Sequence, residues 1–325
     1  MKLGVALPSF ASDGYRLPPG RLQRFAEQAE DYGFSGVWMT EHLVRPPAYN
    51  SSRLDPLTTV STIAGTTKSV GIGTSILILP MRNPVLVAKR AATIQHLSGE
   101  RLTLGLGVGW YDKEYESVDV PFEERGDRFT EALELITRLF TEENVSFDGE
   151  YYSVEGFTLE PRPDRSPRLL IAGSSKEING ERRVLRVVKE RILRFGDGWI
   201  GAARSPEVLT ETWADIASFL EDRERNPEYF DKVALNWGHV VPTADSDVAR
   251  RHQRKVYQKA VSEQRGVEFA MQHNLSGSVD EVRDQVRRFE SNGFDQLIIG
   301  PMTYDPMDID HQLKTWNQKL LAEFS

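Results

Sequence analysis

The chain has 325 residues, enough for one large domain or two ordinary ones. With 40 Lys and Arg against 48 Asp and Glu, its net charge of −8 argues against a nucleic-acid binder. It has no cysteine, which excludes disulfides, thiolate metal sites and cysteine nucleophiles, and its six histidines form no H-x-H or H-E-x-x-H pair, so no metal is expected. No apolar run approaches the roughly 20 residues of a membrane helix, and the chain opens directly on a strand with no signal peptide, so the expectation is a cytoplasmic protein that does not bind a membrane.

Apolar strand-like runs alternate with amphipathic helical patterns from one end to the other. The runs are Leu3–Leu7, Gly36–Thr40, Gly71–Leu79, Leu102–Val108, Arg168–Ala172, Gly198–Gly201, Val233–Val241 and Gln296–Gly300. The helical patterns are Gly20–Tyr32, Pro56–Thr67, Pro84–Leu97, Glu124–Phe140, Glu181–Arg194, Pro206–Glu224, Asp245–Gln264 and Ser278–Ser291. Ser278 with Glu281 makes a capping box, and Tyr32-Gly33 and Asn292-Gly293 are helix stops. Continuous apolar runs joined by helices are parallel βαβ units. Eight strands and eight helices predict a (β/α)8 TIM barrel with insertions, with an open doubly wound sheet as the alternative. Residues 1–325 read as one barrel domain. Residues 144–168 break the rhythm with VSFDGEYYSVEGF, a small β-hairpin, and a Pro-rich tail after the fourth unit. Residues 174–194 read as an extended basic helix carrying Arg182, Arg183, Arg186, Lys189, Arg191 and Arg194.

In a parallel α/β protein, ligands bind at the carboxyl ends of the strands. Thr40-Glu41-His42 closes the second strand there. His42 suits a general acid or base, or equally a loop histidine bonded to a carbonyl, and Glu41 either orients that ring or faces away. Thr74 and Ser75 either hold a planar ligand or fill the barrel. Gly105, Gly107 and Gly109 leave room in the fourth strand, and Trp110 forms an aromatic wall or caps the core. Gly173-Ser174-Ser175 after the fifth strand is a candidate phosphate cradle or an ordinary turn.

Taken in order, GVWMTEH (Gly36–His42), Leu54–Trp110, VPFEERGDRFTE (Val120–Glu131), FDGEYYSVEGFTLEPRP, LLIAGSS, RFGDGWI and SGSVDEVRDQVRRFESNGFDQLIIG resemble the bacterial luciferase-like superfamily of flavin- and F420-dependent oxidoreductases, its F420-dependent branch above all. The resemblance implies a barrel that holds reduced FMN or coenzyme F420 at its strand ends. Thr74, Ser75, Gly109 and Trp110 would line the ring, with a cis peptide at Ser75-Ile76. Gly173, Ser174 and Ser175 would bind phosphate, and His42 would be catalytic, with Glu41 beside it. Phe10, Trp110 and Trp237 are candidates for the wall around a small, apolar organic substrate. Two chemistries fit: FMN-dependent monooxygenation, with a separate reductase supplying reduced cofactor, or F420-dependent hydride transfer. The basic helix and the branch lean towards F420, whose tail is strongly anionic. A cofactor-binding protein without turnover is the alternative, and a barrel hydrolase or aldolase is weaker. Family habit implies a homodimer, for which small residues such as Ala64, Ala88, Ala91 and Ala92 would suit either subunit contact or packing on the barrel.

Overall fold

The computed structural model describes residues 1–12, 17–49, 51–262 and 266–324, without the side chains of residues 10–12. Eight parallel strands close on themselves: β1 (Lys2–Ala6), β2 (Gly36–Met39), β3 (Gly71–Ile78), β4 (Leu102–Gly107), β5 (Arg168–Ala172), β6 (Gly198–Ala202), β7 (Asp231–Val241) and β8 (Gln296–Pro301). Their order is β6-β5-β4-β3-β2-β1-β8-β7, and β7 pairs back onto β6, so no edge is left and the alternative of an open sheet falls. Each strand is followed by a barrel helix: α1 (Arg21–Tyr32), α2 (Pro56–Ala64), α3 (Pro84–Ser98), α4 (Arg125–Thr141), α5 (Arg186–Phe195), α6 (Pro206–Glu221), α7 (Val279–Ser291) and α8 (Pro306–Lys319). The hairpin expected within 144–168 is Val145–Asp148 paired with Ser153–Phe157.

Four of these helices begin alike. Asp55, Asn83, Ser205 and Asp305 each accept a backbone N–H of the first turn, and proline follows at once. Proline has no N–H to leave orphaned there, and its fixed φ already suits the helix. Ala64, Ala88, Ala91 and Ala92 are at most 3% exposed and lie in the main core cluster, so α2 and α3 spend their small residues within the chain.

The barrel interior is filled by Ala6, Trp38, Leu170, Ile200, Val233, Leu235 and Ile298. Trp38 dominates it. A Cβ at Gly4, Gly36 or Gly73, on the three neighbouring strands, would come within 2.6–2.8 Å of the indole. One large ring therefore replaces three side chains, and the barrel is a packed core below its mouth.

Two helical expectations give way. The stretch 174–194 is not one basic helix: Ser175–Ile178 and Glu181–Val184 form an antiparallel hairpin, and α5 begins only at Arg186. Asn179 and Gly180 sit at φ 53° and 79°, the left-handed pair of a tight two-residue turn. The helix-forming Glu and Arg residues yield to that turn chemistry. The pattern at Asp245–Gln264, seventh in the expected series, is a helix, Ser246–Ala260, but not a barrel helix. With Val267–His273 and a strand at Leu275–Ser278, which adds to the end of β7, it forms an excursion between β7 and β8. The eighth barrel helix is α8. Among the described residues no helix is long and apolar enough to cross a membrane.

Candidate active site

The carboxyl ends of β2, β3, β4 and β7 gather most of the predicted residues. His42 follows β2, and the loop after it returns through an edge strand, Ser51–Arg53, paired with Phe10–Ser12. The His42 ring lies 5.4 Å from Tyr49, and Trp110 stands edge-on to it at 5.8 Å and 82°. The Arg53 guanidinium lies 5.7 Å from the Tyr49 ring and 5.9 Å from Trp237 on β7. These side chains make a row across the barrel mouth: Trp110, His42, Tyr49, Arg53, Trp237. Trp110 is 53% exposed, so it is a rim residue and not a core cap. The side chain of Phe10 lies outside the described residues. Tyr49 and Arg53 carried no signal in the sequence, because a loop and a three-residue strand outside the barrel bring them to the site.

Glu41 turns away from His42. Its buried carboxylate accepts the Ile78 N–H at 2.5 Å and pairs with Arg82 at 2.5 Å. Burial pushes this carboxyl up to about 7, against the opposing pull of Arg82 and the Ile78 N–H. The carboxylate at the His42 ring is instead Glu114, on a short helix, Asp112–Glu116, just past β4. Its oxygens lie 3.2 and 3.4 Å from His42 Nδ1, and one of them also accepts the Leu43 N–H at 2.6 Å. The Glu114 side chain is fully buried. Beside it, Tyr115 is also fully buried, packs edge-on against Phe122 and donates its hydroxyl to the Val108 carbonyl.

β3 is irregular where it meets the mouth. Ser75 pairs with Gly105 but Leu77 with Leu106, so Ile76 is an extra residue, and the Ser75-Ile76 peptide is cis, as the resemblance implies. Thr74 is buried and its hydroxyl is spent on the Gly105 carbonyl at 2.8 Å, so its side chain serves the barrel wall. Ser75 differs: its hydroxyl is buried and has no hydrogen-bond partner. A buried polar atom without a partner costs free energy, which a bound ligand would recover. Ile76 bridges the barrel interior and a second cluster of Ile78, Met81 and Tyr115. A Cβ at Gly107 would lie 2.3 Å from the Ile76 side chain, so the bareness of β4 is what lets Ile76 turn inward. Gly109 follows at φ 65°, a backbone conformation that favours glycine, and turns the chain towards Trp110.

Gly173, Ser174 and Ser175 line a pocket of about 80 Å³ with Ala202, Arg204, Val208, Leu209 and Thr212. That volume suits a small tetrahedral anion rather than a ring. The Gly173 carbonyl is held by Trp199 Nε1 at 2.9 Å. Thr212 donates its hydroxyl to the Val208 carbonyl, so the 2.7 Å contact between Ser175 and Thr212 takes the Ser175 proton. The Ser175 side chain is thus committed to α6, which leaves Ser174, the turn's backbone and the exposed Arg204 to meet an anion. Arg204 was not singled out in the sequence. Asn236 on β7 ties its loop down by donating to the Arg204 carbonyl at 3.2 Å.

The closed barrel, with its polar atoms and rings collected at one mouth, is the frame of the luciferase-like monooxygenase family, whose profile matches residues 1–296; the chain belongs to that family. It is 34% identical over 217 residues to an F420-dependent glucose-6-phosphate dehydrogenase of Kineococcus radiotolerans, covering 65% of this chain and 60% of that enzyme. An F420-dependent hydroxymycolic acid dehydrogenase of Mycobacterium tuberculosis is 32% identical over 190 residues, 57% of this chain and 49% of that one. The chain thus spans about half to three-fifths of the length of these curated relatives. In fold it matches the monooxygenase RslO1 of Streptomyces bottropensis at a TM-score of 0.82 with 21% identity, over the full length of both chains. It also matches an F420-dependent secondary alcohol dehydrogenase in complex with an F420-acetone adduct, at 0.80 with 20% identity, over 100% of this chain and 99% of that one.

Proposed function

We propose that this protein is an F420-dependent oxidoreductase that exchanges a hydride between the deazaflavin and a small, largely apolar alcohol or carbonyl compound. The observation that carries the reading is the row of Trp110, His42, Tyr49, Arg53 and Trp237 at the mouth of a barrel whose third strand also buries the unpartnered Ser75 hydroxyl. The F420-dependent relatives favour the deazaflavin over FMN.

The residues present fit such a cofactor. Ser75 offers its unpartnered hydroxyl to the ring, with Gly109 and Trp110 past the end of the neighbouring strand β4 and Thr74 backing the wall. Gly173, Ser174 and Ser175, with Arg204, form the anion pocket for the phosphate. When bound, the cofactor accepts or supplies the hydride. The chain's own work is then to orient, to exclude water and to move a proton. Trp110 and Trp237 close apolar surface around the substrate, and His42 exchanges the proton of the substrate's oxygen. Glu41 supports the site at one remove by fixing the end of β3. The same reading includes a cytoplasmic homodimer, which sedimentation of the purified protein tests.

Titration with F420 and with FMN, followed by fluorescence, tests the cofactor. F420 binding tighter than FMN binding is expected. FMN binding without F420 binding overturns the proposal in favour of oxygenation by reduced FMN from a separate reductase. Replacing His42 by Ala should lower turnover of a responsive alcohol by about 10²–10⁴-fold and leave F420 affinity within a few-fold. Unchanged turnover removes His42 from the mechanism. F420 binding with no turnover across a broad alcohol panel points to a carrier without catalysis.

A further inference from the structure

The His42–Glu114 contact has its own logic of donors and acceptors. Glu114 already accepts the Leu43 N–H at 2.6 Å, so at least one of its oxygens is an acceptor. Both oxygens of the fully buried side chain face Nδ1, and a carboxylate oxygen can only accept, whereas a ring nitrogen can donate. The hydrogen at the contact with the ring then belongs to His42 Nδ1. Glu41, the carboxylate next to His42 in sequence, cannot take this role, because it is committed to Ile78 and Arg82.

We infer that Glu114 is a positioning residue that holds His42 in its Nδ1–H tautomer, so that Nε2 is the atom that exchanges a proton with the substrate. The inference rests on the proposed oxidoreductase reading for its chemistry, not for its geometry. In the oxidising direction the alcohol O–H bond breaks and its proton goes to Nε2. The carbinol C–H bond breaks with its electron pair, which leaves as hydride to the oxidised deazaflavin, and the C=O bond forms. Reduction of a carbonyl runs the same transfers backwards. Glu114 touches neither substrate nor cofactor. It keeps the lone pair on the correct nitrogen and stabilises the imidazolium when the proton arrives. The buried Tyr115, bonded to the Val108 carbonyl, fixes the short helix that carries it.

Replacing Glu114 by Gln makes the inference testable, because the amide cannot satisfy both neighbours as the carboxylate does. Its oxygen is required by the Leu43 N–H, so its NH₂ faces Nδ1 and donates. His42 must then become the Nε2–H tautomer, with no lone pair where the substrate's proton arrives. Long-range ¹H–¹⁵N correlation spectra of the imidazoles report this directly. The His42 signals, among six histidines, are identified by their loss in H42A. The expected result is Nδ1–H in the wild type and in E114D, and Nε2–H in E114Q. For an alcohol that F420 oxidises with this protein, kcat should fall about 10²–10³-fold in E114Q with KM within about threefold, and E114D should recover most of the loss. An Nε2–H tautomer in the wild type, or an unchanged tautomer in E114Q, overturns the inference. So does an E114Q variant that changes KM alone. Should E114Q fail to fold, the wild-type and E114D spectra still decide. Absence of F420 binding with the expected tautomers would refute the cofactor reading and leave the His42–Glu114 relation standing.

Discussion

Replacement of Gly173 by Ala separates a phosphate cradle from an ordinary turn. The new Cβ would lie 2.4 Å from Val188 Cγ1 on α5. Carbon atoms in contact sit at roughly 3.5–4.0 Å, so about 1 Å or more of movement is needed. Val188 cannot easily supply it, since a β-branched residue in a helix has essentially one χ1 rotamer. The turn therefore moves, against the 2.9 Å bond from Trp199 Nε1 to the Gly173 carbonyl. A hydrogen bond to a charged group contributes about 1.5–3 kcal/mol, and displacing one such bond to the phosphate weakens binding about 10–100-fold. The loss should appear for F420 and FMN and not for the deazaflavin riboside or riboflavin, which end before the phosphate. Fluorescence titration of all four measures it. The double variant G173A/V188A, which removes the obstructing methyl, should return to within about threefold of V188A alone. Equal weakening of the phosphate-free ligands would refute the cradle, as would unaltered F420 binding or a failure of V188A to restore it.

Two further outcomes are expected. Glu30 on α1 accepts the backbone N–H groups of Lys68, Ser69 and Val70 and the Ser69 hydroxyl. Burial raises its carboxyl, but these four donors outweigh burial and bring it down to about 2 from 4.5. Its stabilisation is therefore complete above pH 4.5 and fades as pH falls towards 2. Glu30→Gln should cost about 1–2 kcal/mol at pH 7, discounted for partial exposure, and the gap in urea stability between wild type and variant should close between pH 4.5 and 2. A gap independent of pH would show that the charge is not what matters. Trp110→Ala, at a half-exposed rim position, should leave urea stability within about 0.5 kcal/mol and raise KM for an apolar alcohol more than it lowers kcat. A large loss of stability would return Trp110 to the core.

The barrel was legible because a parallel strand covered on both faces reads as a continuous apolar run. All eight runs became barrel strands, and the helices announced by a capping residue and proline at 56, 84 and 206 began there. The same Asp-Pro signal at 305–306 marks α8, which the expected series lacks because the amphipathic pattern after Asp245 takes the seventh place and brings the count to eight without it. The misreading of 174–194 has a local cause. Glu and Arg favour helices weakly, by tenths of a kcal/mol per residue, whereas Asn179-Gly180 supplies two left-handed residues in succession. Where the two conflict over ten residues, the turn wins, and its product is a hairpin that leaves the barrel at the Gly173–Ser175 turn.

The site was legible only where strand ends decide it. Strand geometry explains why Glu41, next to His42, is not its orienting group. Successive residues in extended backbone point to opposite sides, so a carboxylate adjacent to a strand-end histidine is directed away from the ring. The orienting group must come from elsewhere, and in a closed barrel the ends of nearby strands are the near neighbours. Glu114 arrives from the end of β4, 72 residues on, carried by a five-residue helix without a periodic signal. Arg53 arrives from an edge strand outside the barrel, and Tyr49 from the loop that leads into it. A histidine at a strand end can be found by reading along the chain. The residue that decides which of its nitrogens carries the proton is found only by going around the barrel.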